Sequence, residues 1–222
     1  MTSNKKTARQ ARRDQKQKQQ QTRRLIGIVA GVLFVAFLGY VTWQQTTAGN
    51  ALPAASVPDP MLGNPAAAVE IVEYADFGCP ACQSWHNSGV REQVLADFGD
   101  QVRFVWRDFP VITAQSPQAA EAGQCAGAQD AFWAYHDHVY ENFAGLQTAQ
   151  LIRYATDIGL DPVDFELCLD EGRMRAKVQA NEQEARRLGL RGTPGFAVNG
   201  RVLPRPPDYP TLAALIQTEL GQ

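Results

Sequence analysis

Ala75-Asp76-Phe77-Gly78-Cys79-Pro80-Ala81-Cys82-Gln83-Ser84-Trp85-His86 holds two of the four cysteines in this chain, and how the stretch folds decides the architecture around it. Upstream, Val69–Tyr74 (VEIVEY) is a short β-branched run that reads as a strand ending in the Ala75–Gly78 turn. Downstream, Trp85, Val90, Val94, Leu95 and Phe98 recur at helical spacing up to Gly99. A strand that passes into a helix through Gly78-Cys79-Pro80 puts Cys79 at the N-cap. Pro80 then takes the first helical position, where a missing N–H costs nothing. Cys79 faces the unpaired N–H groups and the positive end of the helix dipole, which favours thiolate over thiol. Cys82, three residues on, shares that face of the first turn and is near enough to pair with Cys79. A nucleophilic sulfur beside a resolving one is what thiol–disulfide exchange requires.

Two other uses of Cys79-Pro80-Ala81-Cys82 fit less well. Zinc sites usually draw on a second such pair or on histidines. Here Cys125 and Cys168 are 43 apart and neither belongs to a CxxC, while His136 and His138 fall on different faces of a helix and read as ordinary, partly exposed residues. A short structural disulfide is the remaining option. No metal site is expected. Glu73 precedes Cys79 by six positions. It is either a carboxylate beneath the cysteine pair, able to take the proton of Cys82, or a surface acid of an edge strand like Glu70, and spacing alone leaves both open.

The rest of the chain supplies an α/β plan. Val102–Asp108 reads as a second strand, and Pro117–Phe143 and Thr148–Leu188 as helices broken at Gly159–Pro162 and Gly172. Gly195–Leu203 is a hairpin turning at Asn199-Gly200, and Asp208–Leu220 a closing helix. Phe132, Trp133, Tyr135, Val139, Tyr140 and Phe143 stand at core spacing rather than as a binding groove.

The 222 residues, 45% hydrophobic, suit one domain with appendages. Leu25–Trp43 contains nineteen residues without a charge. As a helix this run is about 28 Å long, near the roughly 30 Å of a bilayer's hydrocarbon core. Nine Lys/Arg precede it against one acid, Asp14, and the next Lys or Arg is Arg91. The positive-inside rule keeps residues 1–24 cytoplasmic, makes 25–43 a membrane anchor, and exports the remainder of the chain. A cleaved signal peptide, cut near Ala48 or Ala55, is the alternative and gives the same oxidising compartment. Nine of the 21 basic and one of the 23 acidic residues lie in the tail, leaving twelve against 22 and a formal net charge of −10 for the exported part. That balance argues against nucleic-acid binding. Residues 44–60, rich in Pro, Ala and Thr, read as a linker to a domain over 61–222.

GNPAAAVEIVEYADFGCPACQSWH, CAGAQDAFWAYHDHVY and LGLRGTPGFAVNGRV occur in the order and at the separations that resemble the DsbA-like thioredoxin superfamily in its membrane-anchored bacterial form, over about Met61–Leu220. The resemblance implies a thioredoxin fold with a helical insertion at about 113–190. It implies that Thr193-Pro194 is the cis-proline loop that holds substrate peptide beside Cys79, and that Glu73 is the buried acid. It further implies a protein thiol:disulfide oxidoreductase without a cofactor, acting on unfolded exported proteins with free thiols and recycled by a quinone-linked membrane partner of the DsbB or vitamin K epoxide reductase type. Pro80-Ala81 departs from the Pro-His of the strongest oxidants, so a milder potential is expected. His86 is not an obvious substitute and reads as packing or surface. Gly195, where a bulkier residue is common, would leave the groove roomier. Cys125 and Cys168 are expected to form a structural disulfide, since some anchored relatives carry one, or else to remain buried thiols. A reductase or isomerase running the other way, and a non-catalytic binding module, are the rival functions.

Overall fold

The computed structural model describes residues 58–221 and, before them, Phe34 alone. The expected anchor, the basic tail and most of the linker lie outside the described residues. Among the described residues no helix is long and apolar enough to cross a membrane. Five strands form one mixed sheet in the order β1-β3-β2-β4-β5. These are β1 (Met61–Gly63), β2 (Val69–Ala75), β3 (Val102–Asp108), β4 (Gly195–Val198) and β5 (Arg201–Val202). The pair β2–β3 is parallel and every other pair antiparallel. The three-residue β1 carries no signal above its flanking turn residues. It is made a strand by β3, along which Met61 pairs with Val105.

The crossover from β2 to β3, expected as one helix, is two: α1 (Pro80–Asn87) and α2 (Val90–Phe98). Gly89 sits between them at φ +71°, a left-handed conformation that favours glycine, and re-aims the chain. Similarly, Pro117–Phe143 divides into α3 (Ser116–Gly127) and α4 (Phe132–Glu141). Helices α5 (Thr148–Asp157), α6 (Pro162–Asp170) and α7 (Arg175–Arg187) come next before the sheet resumes, and α8 (Tyr209–Glu219) closes the chain. Asp161 caps α6 by accepting the N–H groups of Val163 and Asp164, with Pro162 in the first turn.

Strand alternation sorts the core. Val69, Ile71 and Glu73 of β2 share a face with Val102, Phe104 and Trp106 of β3 and with Phe196 and Val198 of β4. Its apolar members other than Trp106 pack on Trp85, Val90, Val94, Leu212 and Ile216 from α1, α2 and α8. Burial of each such side chain contributes about 1.5–3 kcal/mol. The opposite face, with Val72, Tyr74 and Val105, meets Ala185 of α7. A third cluster joins the inserted helices to Phe77, Cys79, Cys82 and Trp106 at the cysteine end of the sheet. There Cys125 of α3 and Cys168 of α6 are joined in a disulfide, both buried. The last residues before β1 run along β3. The backbone N–H of Trp106 donates to Pro60 O at 2.9 Å, Asp59 pairs with Arg107, and buried Lys177 donates to Pro58 O.

Candidate active site

Asp76 builds the turn that carries the cysteines. Its Oδ1 accepts the N–H of Gly78 at 2.7 Å, and its Oδ2 accepts those of Val111 and Ile112 at 2.8 Å each. Its backbone carbonyl accepts the N–H of Cys79 and the hydroxyl of Tyr140, at 3.0 and 3.1 Å. Asp76 is 2% exposed, so the loop after β3 and helix α4 are both fastened to the cysteine turn from inside. Sequence reasoning that takes the residue as a mere turn former misses this; an Asp two positions before a turn N–H is the available signal. Gly78 is tightly enclosed: a Cβ there would lie 3.1 Å from both Leu146 Cδ1 and Ser116 Oγ, which would have to give by a few tenths of an ångström.

Cys79 is the N-cap of α1, and its sulfur accepts the backbone N–H of Cys82 at 3.3 Å. Its thiol donates to Thr193 O at 3.3 Å, and the Thr193–Pro194 peptide is cis. The Cys82 thiol, the Thr193 side chain and the N–H groups of Cys82 and Ala81 favour the thiolate against burial, and bring Cys79 down to about 6. Cys82 is fully buried. Burial, then its hydrogen bond to Cys79 and the nearby Glu73 charge, push it far above the ordinary thiol range. The two sulfurs are free thiols here, one held as thiolate at neutral pH and the other held protonated.

Glu73 is the buried acid, 3% exposed, between Trp106 and Phe196 in register on its two sides. Burial raises it to about 8, Arg91 opposes that rise, and Glu92 and Cys79 add to it. Thr193 Oγ1 is buried without a hydrogen-bond partner among the described residues. Gly195 does not widen a groove: a Cβ there would meet Leu190 Cδ2 at 2.9 Å, so the missing side chain is space taken by Leu190.

Two sequence expectations about the insertion change. Phe143 is not core but 46% exposed, while Phe132, Tyr135, Val139 and Tyr140 are buried; Ile112, whose N–H is held by Asp76 of the cysteine turn, is 44% exposed. His136 is not a partly exposed residue but 1% exposed. It meets His86 of α1 edge-on at 5.2 Å, and these two rings come together with Asp137, their ligand-type atoms within 4.8 Å of one another. Histidines 50 apart in sequence give no spacing signal for this. The cluster already holds a cation, because Arg91 Nη2 lies 2.9 Å from Asp137 Oδ1.

A thiolate at a helix N-terminus, a resolving thiol one turn on, a cis-proline carbonyl beside them and a buried carboxyl behind define a thioredoxin-like redox protein with helices inserted between β3 and β4. The chain belongs to the thioredoxin family whose model matches residues 55–218. Its fold is the DsbA-like thioredoxin fold. It is similar to BdbD from Bacillus subtilis, at 25% identity and TM-score 0.66 over 74% of this chain and 94% of that one. It is similar as well to a thioredoxin-like oxidoreductase from Silicibacter pomeroyi, at 27% identity and TM-score 0.67 over 77% and 96%. Among curated proteins it is 30% identical to a Na(+)/H(+) antiporter NhaA of Herminiimonas arsenicoxydans over 86% of this chain and 32% of that protein. The chain thus spans about a third of the length of that relative.

Proposed function

We propose that the chain is an extracytoplasmic thiol–disulfide oxidoreductase that introduces disulfide bonds into exported proteins through Cys79 and Cys82, tethered to the membrane by Leu25–Trp43. The observation that carries this is the asymmetry of the two sulfurs: Cys79 held as thiolate at the head of α1, Cys82 buried and protonated behind it. Stabilising one thiolate stabilises the reduced form, and a pair whose reduced form is stabilised accepts electrons from other thiols. Substrate thiolate attacks Cys79 Sγ of the oxidised pair, Cys82 leaves, and Glu73 supplies its proton. A second substrate thiolate then displaces Cys79, which departs as the stable thiolate. Thr193 O and the cis Pro194 present backbone for an extended peptide, and the exposed Ile112 beside the cysteine turn offers apolar surface to an unfolded chain. Reoxidation falls to a quinone-linked membrane partner of the DsbB or vitamin K epoxide reductase type. Ala81 contributes no side-chain donor to Cys79, so the pair is a milder oxidant than one with histidine there.

The test is the reduction potential of the Cys79–Cys82 pair in the full-length chain against glutathione buffers. A value at or above about −180 mV supports disulfide formation, and one at or below about −270 mV reverses the direction to reduction. In the same chain Cys82→Ala should accumulate mixed disulfides through Cys79. A variant that traps none marks the protein as a binding module.

A further inference from the structure

The cysteine end of the sheet differs in charge from the rest of the chain around it. Four segments reach that end. Residues 109–115 follow β3, and Asp76 of the cysteine turn holds the N–H groups of Val111 and Ile112. Residues 142–147 bring Leu146 against Gly78. Residues 188–194 end in Thr193, whose carbonyl accepts the Cys79 thiol at 3.3 Å, and in the cis Pro194. Residues 203–207 leave β5 at the same end, because β5 is antiparallel to β4 and β4 starts opposite Tyr74. This last segment is pinned on both sides. The N–H of Leu203 donates to Phe196 O at 2.8 Å, and Pro207 O accepts the indole N–H of Trp85 in α1 at 2.8 Å.

These segments and the first turn of α1 contain no Asp or Glu, although residues 44–222 hold 22 acids against twelve Lys and Arg. Their charged residues are Arg191 and Arg205, both exposed. The acids nearest the sulfurs in sequence, Glu73 and Asp76, are buried, and both Asp76 oxygens are occupied by backbone N–H groups. Asp208, close to Arg205 in sequence, caps α8 by accepting the N–H of Thr211 at 3.1 Å. Among the described residues neither arginine has an ion-pair partner, whereas nearby Arg186 and Arg201 pair with Glu182 and Glu219. One unpaired arginine on a surface is ordinary. Two that are the exposed charges around a redox pair, in an otherwise acidic chain, give a local positive field where substrate docks.

We propose that Arg191 and Arg205 select the substrate, favouring polypeptides with Asp or Glu beside the reacting cysteine. The inference rests on the exchange reading of Cys79 and Cys82. Arg191 is two residues before Thr193, at most about 7 Å of chain, so its guanidinium reaches the side chains of a peptide laid along Thr193 O. Arg205 flanks the same loop from the β5 side. Contacts of this kind stay wet, and act on encounter and orientation more than on final affinity. They also offset a handicap: carboxylates beside a cysteine raise its pKa and deplete its thiolate, and positive charge near the docking sulfur restores it. Substrate thiolate attacks Cys79 Sγ, the Cys79–Cys82 bond breaks, and its electron pair leaves on Cys82 Sγ, which takes the proton of Glu73. A second thiolate of the same polypeptide attacks the substrate sulfur of the mixed disulfide and expels Cys79 as thiolate. The polypeptide gains a disulfide and the pair gains two electrons.

The test uses synthetic two-cysteine peptides of one length, with Glu, Gln or Lys beside each cysteine, mixed with the oxidised full-length chain. Loss of peptide thiol is timed. The Glu-to-Gln rate ratio of the wild type is divided by that of Arg191→Gln/Arg205→Gln, which cancels the intrinsic reactivity of each peptide. The result expected is a double ratio of at least about threefold at low salt, falling towards one at about 0.5 M salt. Arg201→Gln removes an exposed charge at the other end of the β4–β5 hairpin and should keep the wild-type ratio. Arg191→Glu/Arg205→Glu should reverse the order, with the Lys peptide reacting faster than the Glu peptide. A double ratio near one, a preference that salt leaves intact, or an equal loss in Arg201→Gln overturns the inference. If the glutamine variant fails to fold, the charge-reversed variant decides: an unreversed order overturns it. A wild-type chain that oxidises none of the peptides fails the exchange reading and takes the arginine role with it. One that oxidises all three, with ratios the variants do not change, fails the arginine role alone.

Discussion

Glu73 is a carboxyl whose neighbours were chosen for it by the sheet. Trp106 and Phe196 flank it in register, and burial lifts it to about 8. Its folded value lies above the ordinary 4.5, so between those two pH values the folded chain keeps a proton that the unfolded chain has lost. Stability contributed by this group is therefore full at low pH and is lost as pH rises towards 8, by about 1.4 kcal/mol for each unit of difference. Glu73→Gln removes the titration. In the oxidised chain, where no Cys79 thiolate adds its own effect, the variant's advantage in urea unfolding should be small at pH 4.5 and grow until about pH 8. The same advantage at both ends of that range would mean that Glu73 is solvated. Cys79 runs the other way in the reduced chain. Its value is depressed from the ordinary 9.0 to about 6, so its contribution is present above 9 and is lost as pH falls through 6.

At the scale of elements, two glycines decide where side chains meet. Gly89, in the left-handed region, separates α1 from α2 and lets Arg91 turn towards α4; a continuous helix would have kept to one axis. Gly123 of α3 lies against the cysteine turn, and a Cβ there would be 2.7 Å from Phe77 Cε2 and 2.9 Å from Cζ. Helix propensity alone favours Gly123→Ala by about 1 kcal/mol. The ring is rigid and packed by Trp106, Tyr135 and Tyr140, so overpacking should outweigh that gain, and we expect a net loss of about 1–2 kcal/mol in chemical denaturation. A gain in stability would show that Phe77 has room to move.

For the whole molecule, the Cys125–Cys168 bond ties α3 to α6 across 43 residues, within the apolar cluster that also contains Cys79 and Cys82. On the chain-entropy model a loop of this length contributes about 4 kcal/mol. Replacing both cysteines by alanine should lower stability by about that amount, measured by guanidinium unfolding. The potential of the Cys79–Cys82 pair should stay unchanged, because neither Cys125 nor Cys168 is among the groups acting on those sulfurs. A shifted potential would mean that the inserted helices set the redox chemistry as well as covering it.

The local parts of this protein were legible in its sequence because their causes are local. A proline after a cysteine at a strand's end fixes a helix N-terminus; β-branched runs fix β2 and β3; Asn199-Gly200 fixes the hairpin. The resemblance of three separated motifs added the cis loop and the insertion. What remained was decided by packing between elements. Spacing left Glu73 open and only the resemblance made it the buried acid, since alternation gives a face but not what covers it; β3 and β4 flank it on both sides. Nothing in the spacing of His86, Arg91, His136 and Asp137 brings them together. They meet because α1, α2 and α4 converge on the same end of the sheet. Strand and helix arise from nearest neighbours along the chain, whereas a buried charge depends on residues tens of positions away, which only the folded structure assembles.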